Sequence, residues 1–179
     1  MTVYALAGRR PDPPDAEARR FPLANRELVT RRVGELFIQN NATALVASAA
    51  CGADLIALGA AGLLQLRRFI VLPFDRTRFR ETSVTDRPGD WGADYDRILD
   101  EVAAAGGLAV LDLAVEGDDP YRRANEKIIE TAAGLASDTD PVHVCLVWEG
   151  APRGPDDITY QLAETARARG WPVDEVLTV

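Results

Sequence analysis

Histidine, cysteine, methionine and lysine are almost missing from this 179-residue chain. It has one His, two Cys, one Met, and a single lysine, Lys127, against nineteen arginines. The lone histidine, His143, falls inside an apparent strand and reads as structural rather than catalytic. Cys51 and Cys145 have no Cys/His metal spacing near them and read as unpaired thiols of a reduced compartment, so no metal is expected. No apolar run approaches the roughly 20 residues that span a bilayer. The N-terminus, MTVYALAGRRPDPP, lacks the basic leader of a signal peptide. A cytoplasmic protein without a membrane partner is the expectation. Also lacking are a G-x-S-x-G elbow, a Cys/His pair beside a nucleophile, and the G-x-G-x-x-G fingerprint of dinucleotide binding. No motif requires a cofactor.

What is present is ordinary for a globular domain: 47% apolar and 27% charged residues. At this length the chain should form one domain, residues 1–179, burying roughly 70% of its unfolded surface. The net charge is −8, which argues against a general nucleic-acid binder. The charge is uneven. Residues 1–32 hold seven arginines (Arg9, Arg10, Arg19, Arg20, Arg26, Arg31, Arg32) against four acids, a net of +3, leaving −11 for the rest. A small anionic ligand held by a few placed arginines suits this balance better than a polyanion.

The stretch Thr43–Leu58, TALVASAACGADLIAL, organises the pattern. An apolar strand (Leu45, Val46, Ala47) passes through small residues, Ser48 to Gly52, into a helix starting near Gly52. Small residues let a ligand approach the backbone, and free N–H groups of a first helical turn favour an anion. The alternative is that the same residues merely let helix and strand pack closely. Other strands are expected at Thr2–Ala7, Arg68–Pro73, Leu108–Leu113, Val142–Val147 and Val173–Leu177. Helices are expected at Leu23–Gln39, Trp91–Ala105, Asp157–Arg169, and from a cap in Asp118-Asp119-Pro120 to about Ala136. Phe74–Asp90 reads as an irregular loop of mixed charge. This alternation predicts an α/β fold: a single three-layer Rossmann-like domain with a mainly parallel sheet flanked by helices.

In such a sheet, Gly8–Arg10, Ser48–Asp54, Phe74–Ser83 and Trp148–Asp157 converge at the carboxyl edge. Arg9 or Arg10 could hold a phosphate or carboxylate bidentately, or lie in solvent beside the acidic loop Asp12–Glu17. Tyr121 and Asn125 share a helix face. They could contact a base or ribose, or tie this helix to a neighbouring loop. Cys51 near a helix start could have a lowered pKa. Asp54 reads as a helix N-terminal acid. The ligand-binding candidates are Gly8, Arg9, Arg10, Ser48, Cys51, Gly52, Asp54, Arg78, Tyr121, Asn125, Glu149 and Thr159.

The segments AGRR, SAACGADLIAL, VLPFDRTRFRETSV, YRRANEKI and VWEG…T…AR..GWPV, taken in order, resemble the SLOG superfamily of Rossmann-like domains. That group includes LOG-type nucleoside-monophosphate phosphoribohydrolases and DprA/Smf DNA-processing proteins. The likeness spans nearly the whole chain and is nearest to modules that sense nucleotide-derived signals. It implies a nucleotide-like ligand at Gly8–Arg10, at Ser48–Asp54 and in the loop before the last helix. LOG-type enzymes carry P-G-G-x-G-T-x-x-E. Here Gly154 to Leu162 reads GPDDITYQL, with Thr159 kept and Leu162 in place of the glutamate. Asp156 and Asp157 stand in this stretch in place of phosphate-holding residues and would repel a phosphate, unless a metal or an arginine such as Arg153 neutralises them; one of them also reads as the cap of the last helix. Binding or sensing of a nucleotide is therefore the expected function. The alternatives are N-glycosidic hydrolysis, with acids among Asp54, Glu149, Asp156 and Asp157, and a partner-binding module with a vestigial pocket. A homodimer is compatible with the sequence.

Overall fold

A computed structural model describes residues 1–114, 117 and 119–179. The apolar and β-branched runs form strands β1 (Thr2–Gly8), β2 (Ala42–Ala47), β3 (Arg67–Leu72), β4 (Leu108–Val110), β5 (Val142–Trp148) and β6 (Val173–Leu177). They make one sheet, ordered β4-β3-β2-β1-β5-β6, in which every neighbouring pair is parallel. Between them run helices α1 (Arg26–Gln39), α2 (Ala53–Leu63), α3 (Arg76–Ser83), α4 (Gly92–Ala104), α5 (Asp119–Leu135) and α6 (Ile158–Ala168). One cluster of buried side chains packs α1, α2 and α4 on one face of the sheet, and a second packs α5 and α6 on the other. Because parallel strands need crossovers that cover both faces, the result is a single three-layer α/β domain of Rossmann-like type.

Helix α2 is apolar nearly all round. Its Leu55, Ile56, Ala57, Leu58, Ala60 and Ala61 are buried between the sheet and helices α1 and α4. Each fully buried Leu or Ile contributes about 1.5–3 kcal/mol, so this helix anchors one layer. Its entry depends on two glycines. A Cβ at Gly8 would collide with Ala53 Cβ and lie 2.8 Å from the Val147 carbonyl. Gly52 has φ +90°, and a Cβ there would lie 2.7 Å from the Arg9 carbonyl oxygen. The close-packing reading therefore holds for Gly52, and Gly8, at the end of β1, packs as tightly.

Two segments depart in kind from the sequence reading. Phe74–Asp90 is not all irregular, because α3 forms within it, capped by the Asp75 side chain, which accepts from the Arg78 N–H. Only Phe79 and Ser83 of α3 are buried, which leaves too few apolar residues for a helical period to show. The expected Leu23 helix opens as a 3₁₀ turn, Leu23–Asn25, before α1. The Asp118 cap lies outside the described residues.

The site-forming feature is the strand order. The chain steps outward from β1 through β2 and β3 to β4, then returns to place β5 on the other side of β1. Loops leaving β1 and β5 therefore diverge, and a crevice opens at the carboxyl edge where the order reverses.

Candidate functional site

At that reversal lies a cleft of about 330 Å³. Its walls come from the end of β1 (Leu6, Ala7, Gly8), the turn after β2 (Ser48, Ala50), α2 (Asp54), α3 (Phe79, Ser83), α5 (Tyr121, Ala124, Asn125, Ile128) and the approach to α6 (Arg153, Ile158, Thr159), with Arg10 at the side. Of the sequence candidates, it gathers Gly8, Arg10, Ser48, Asp54, Tyr121, Asn125 and Thr159. It does not gather Arg9, Cys51, Gly52, Arg78 or Glu149.

Arg9 is the largest correction. It is 3% exposed, and the protein itself engages all three guanidinium nitrogens. Nη1 and Nη2 donate to the two Asp157 oxygens, both at 2.7 Å. Nε donates to Glu149 Oε2 at 2.6 Å, and Nη2 also reaches Glu149 Oε1 and the Ala151 carbonyl, each at 3.2 Å. The guanidinium lies over the Trp148 ring, 5.9 Å from its centroid. This fork holds the start of α6 to the end of β1 and leaves no edge for a ligand. Glu149 is spent on the same ion pair and on Arg20 Nη1 at 2.9 Å, so it too is structural.

Asp157 joins this network as the α6 cap, its side chain accepting from the Thr159 and Tyr160 N–H groups and from the Arg153 N–H. Burial alone would raise its carboxyl, but the Arg9 and Arg153 hydrogen bonds outweigh that and hold it at about 2. The capping reading is met here, and the repulsive charge expected of Asp157 is neutralised mainly by Arg9. Asp156 is exposed on the surface, 3.4 Å from Arg122.

Cys51 is buried among apolar side chains, its N–H bonded to the Ser83 carbonyl. Burial pushes its thiol up to about 12, the opposite of the lowered value the sequence allowed. Gly52 packs on the backbone of Arg9 and beside Pro11. Arg78 is exposed on α3, paired loosely with Glu81 at 3.5 Å. The turn leading into α2 is also less open to an anion than its sequence suggested. The N–H groups of Ala50, Cys51 and Ala53 go to Asp54 Oδ2, the Ser83 carbonyl and the Arg9 carbonyl.

The polar equipment left in the cleft is specific. Asp54 accepts from the Ala50 N–H at 3.1 Å. Burial raises its carboxyl to about 7, against the opposing pull of that N–H and of Arg10. The Tyr121 hydroxyl meets Ser83 Oγ at 3.3 Å, and its ring sits edge-on to Phe74 at 6.0 Å. Asn125 Nδ2 donates to the Ile158 carbonyl at 3.1 Å, tying α5 to the start of α6. Among the described residues, no hydrogen bond engages the side-chain hydroxyls of Ser48 or Thr159. Arg10 Nη1 is clamped by Asp86 at 2.6 and 2.9 Å. Arg153 also lines the cleft, half-exposed.

Sequence reasoning did not list Arg153, Phe79 or Ser83 as site residues. Arg153 was legible only as a neutraliser of the aspartates, and the other two were hidden with α3. Chemically, the cleft offers two guanidinium groups, a carboxyl that titrates near neutrality, several neutral donors and acceptors, and an apolar wall from Phe79, Ala124 and Ile128. Among the described residues, no group of three His, Cys, Asp or Glu side chains could hold a metal ion, and no helix is long and apolar enough to cross a membrane. No protein-family model matches the chain, and no curated protein matches it.

Proposed function

We propose that this chain binds a nucleotide or nucleotide-derived small molecule in the cleft between β1 and β5, as a SLOG-type module. One observation carries the reading: at the topological switch point, the fold brings Arg10 and Arg153 beside a pocket with an apolar wall and a few placed polar groups. Open parallel sheets bind ligands at this position, and the volume falls at the low end of the usual 300–1,000 Å³ range for small-molecule sites. Arg10 and Arg153 supply the cationic edges for a phosphate. The Tyr121 ring and Ile158, both partly exposed, offer a surface for a base. Asp54, Tyr121, Asn125, Ser48 and Thr159 offer partners for ribose hydroxyls and base edges. The resemblance of AGRR, SAACGADLIAL and YRRANEKI to SLOG domains supports the same ligand class.

Hydrolysis of an N-glycosidic bond is the second reading, and Asp54 is the observation that favours it. Of the four acids weighed for acid/base work, Glu149 and Asp157 are locked against Arg9 and Asp156 is outside the cleft, which leaves Asp54 with a carboxyl near neutrality. Binding and hydrolysis separate in one experiment. A panel of nucleoside mono- and diphosphates is titrated against thermal unfolding while the supernatant is assayed for free base. A ligand that binds the native state raises its melting temperature. Stabilisation without base release supports binding. Base release abolished by Asp54→Asn supports the hydrolase. No shift with any nucleotide contradicts both.

A further inference from the structure

The cleft does not end at Arg10 and Arg153. Together with Gly8 they also line an adjoining depression of about 480 Å³ formed against the loop after β1. Its other cationic walls are Arg20, from the arginine-rich N-terminal segment, and Arg87, from the loop after α3. We propose that this depression is a second phosphate subsite. The ligand preferred by the cleft then carries a diphosphate or longer phosphate chain rather than a single phosphate. The inference rests on the nucleotide reading and narrows it.

Carboxylates pair with several of these guanidinium groups. Asp86 lies 2.6 Å from Arg10 Nη1 and 3.8 Å from Arg87 Nε, and Glu149 lies 2.9 Å from Arg20 Nη1. Asp12 is occupied by the N–H groups of Arg20 and Phe21. Counted with Arg9, the five arginines are matched in number by Asp12, Glu17, Asp86, Glu149 and Asp157, so placement decides the outcome. The lining carries the five arginines against Asp12 and the exposed Glu17 alone. The Asp157 and Glu149 side chains, 0% and 11% exposed, and that of Asp86, 30% exposed beside Arg10, do not line it, whereas those of Arg10, Arg20, Arg87 and Arg153 are between 26% and 49% exposed. The depression therefore presents an excess of guanidinium edges, and those of Arg10, Arg20 and Arg87 are held by protein acceptors, which suits bidentate contact with phosphate oxygens. Side chains must supply this charge, because the first-turn N–H groups of α2 and α6 are largely taken by protein acceptors.

Calorimetric titration with AMP, ADP, GMP, GDP, UMP and UDP tests the assignment. For any base that binds, the diphosphate should bind about tenfold or more tightly than its monophosphate, which is about 1.4 kcal/mol. Arg87→Ala should bring that ratio toward one, and Arg87→Lys should restore part of it. Arg87 meets the protein through the Pro11 carbonyl and the partly exposed Asp86, so the variant should fold, and an unchanged melting temperature verifies that it does. Arg20→Gln gives an independent second reading of the ratio. Equal affinity for mono- and diphosphate overturns this inference alone, as does a preference that survives both substitutions. If none of the six nucleotides binds, the nucleotide reading falls and this inference falls with it.

Discussion

Arg9 sits directly after β1, where a ligand-binding arginine is expected, yet its fork closes on Asp157 and Glu149 inside the protein. A sequence shows the arginine but not its acceptors, because the partners lie 140 and 148 residues away. Removing one member of a buried ion pair strands the other charge and costs about 3–5 kcal/mol. Arg9→Ala and Asp157→Ala should each lose that much stability in denaturant titration, well above the roughly 1 kcal/mol of a simple helix cap. Their double mutant should lose less than the sum. The Asp157 carboxyl sits at about 2 in the folded protein, below its value in the unfolded chain. Its contribution is therefore present above about pH 4 and is lost as pH falls toward 2. Asp54 has the opposite sign. Its carboxyl is raised to about 7, so the unfolded chain ionises first, and stability declines as pH rises from about 4 to about 7. Asp54→Asn should remove this penalty, on the order of 4 kcal/mol at most. Unfolding at pH 5 and pH 8 should therefore show a variant whose advantage appears chiefly at pH 8. An anionic ligand should likewise bind the wild type more tightly at pH 6 than at pH 8, as Asp54 loses its charge.

At the level of elements, α2 and its turn were legible because small residues followed by an apolar run leave few alternatives. The helix α3 was not legible. It is eight residues with one buried aromatic, held by an Asp75 cap and by contacts such as the stacked pair Phe79–Tyr95. Tertiary packing made that helix, and local pattern did not announce it. Small residues in the turn after β2 suit ligand access or close packing alike, and the structure uses Gly52 there, and Gly8 at the end of β1, for close packing. Gly8→Ala should therefore push α2 away from β1, costing about 1–3 kcal/mol as overpacking, and should weaken nucleotide binding through the displaced cleft wall. Denaturant titration measures the first effect and calorimetry the second. Full stability in Gly8→Ala would mean that α2 can move without cost.

For the whole molecule, alternation of strands and helices was enough to read the sheet and its carboxyl edge. Strand order was not readable, because no local signal says on which side of β1 the fifth strand returns. That return creates the cleft and selects which loops meet there. It brings Tyr121 and Asn125 to Ser48 and Asp54, while Arg78 stays outside. The uneven charge has a physical counterpart in the arginines around the cleft mouth, so nucleotide affinity should fall with added salt. The most direct measurement is amide chemical-shift mapping with the tightest-binding nucleotide of the panel. Perturbations should cluster on Gly8, Arg10, Ser48, Asp54, Tyr121, Asn125, Arg153 and Thr159. Perturbations confined to the α1–α2 face around Ile38 and Leu63, or none at saturating nucleotide, would contradict a ligand site between β1 and β5.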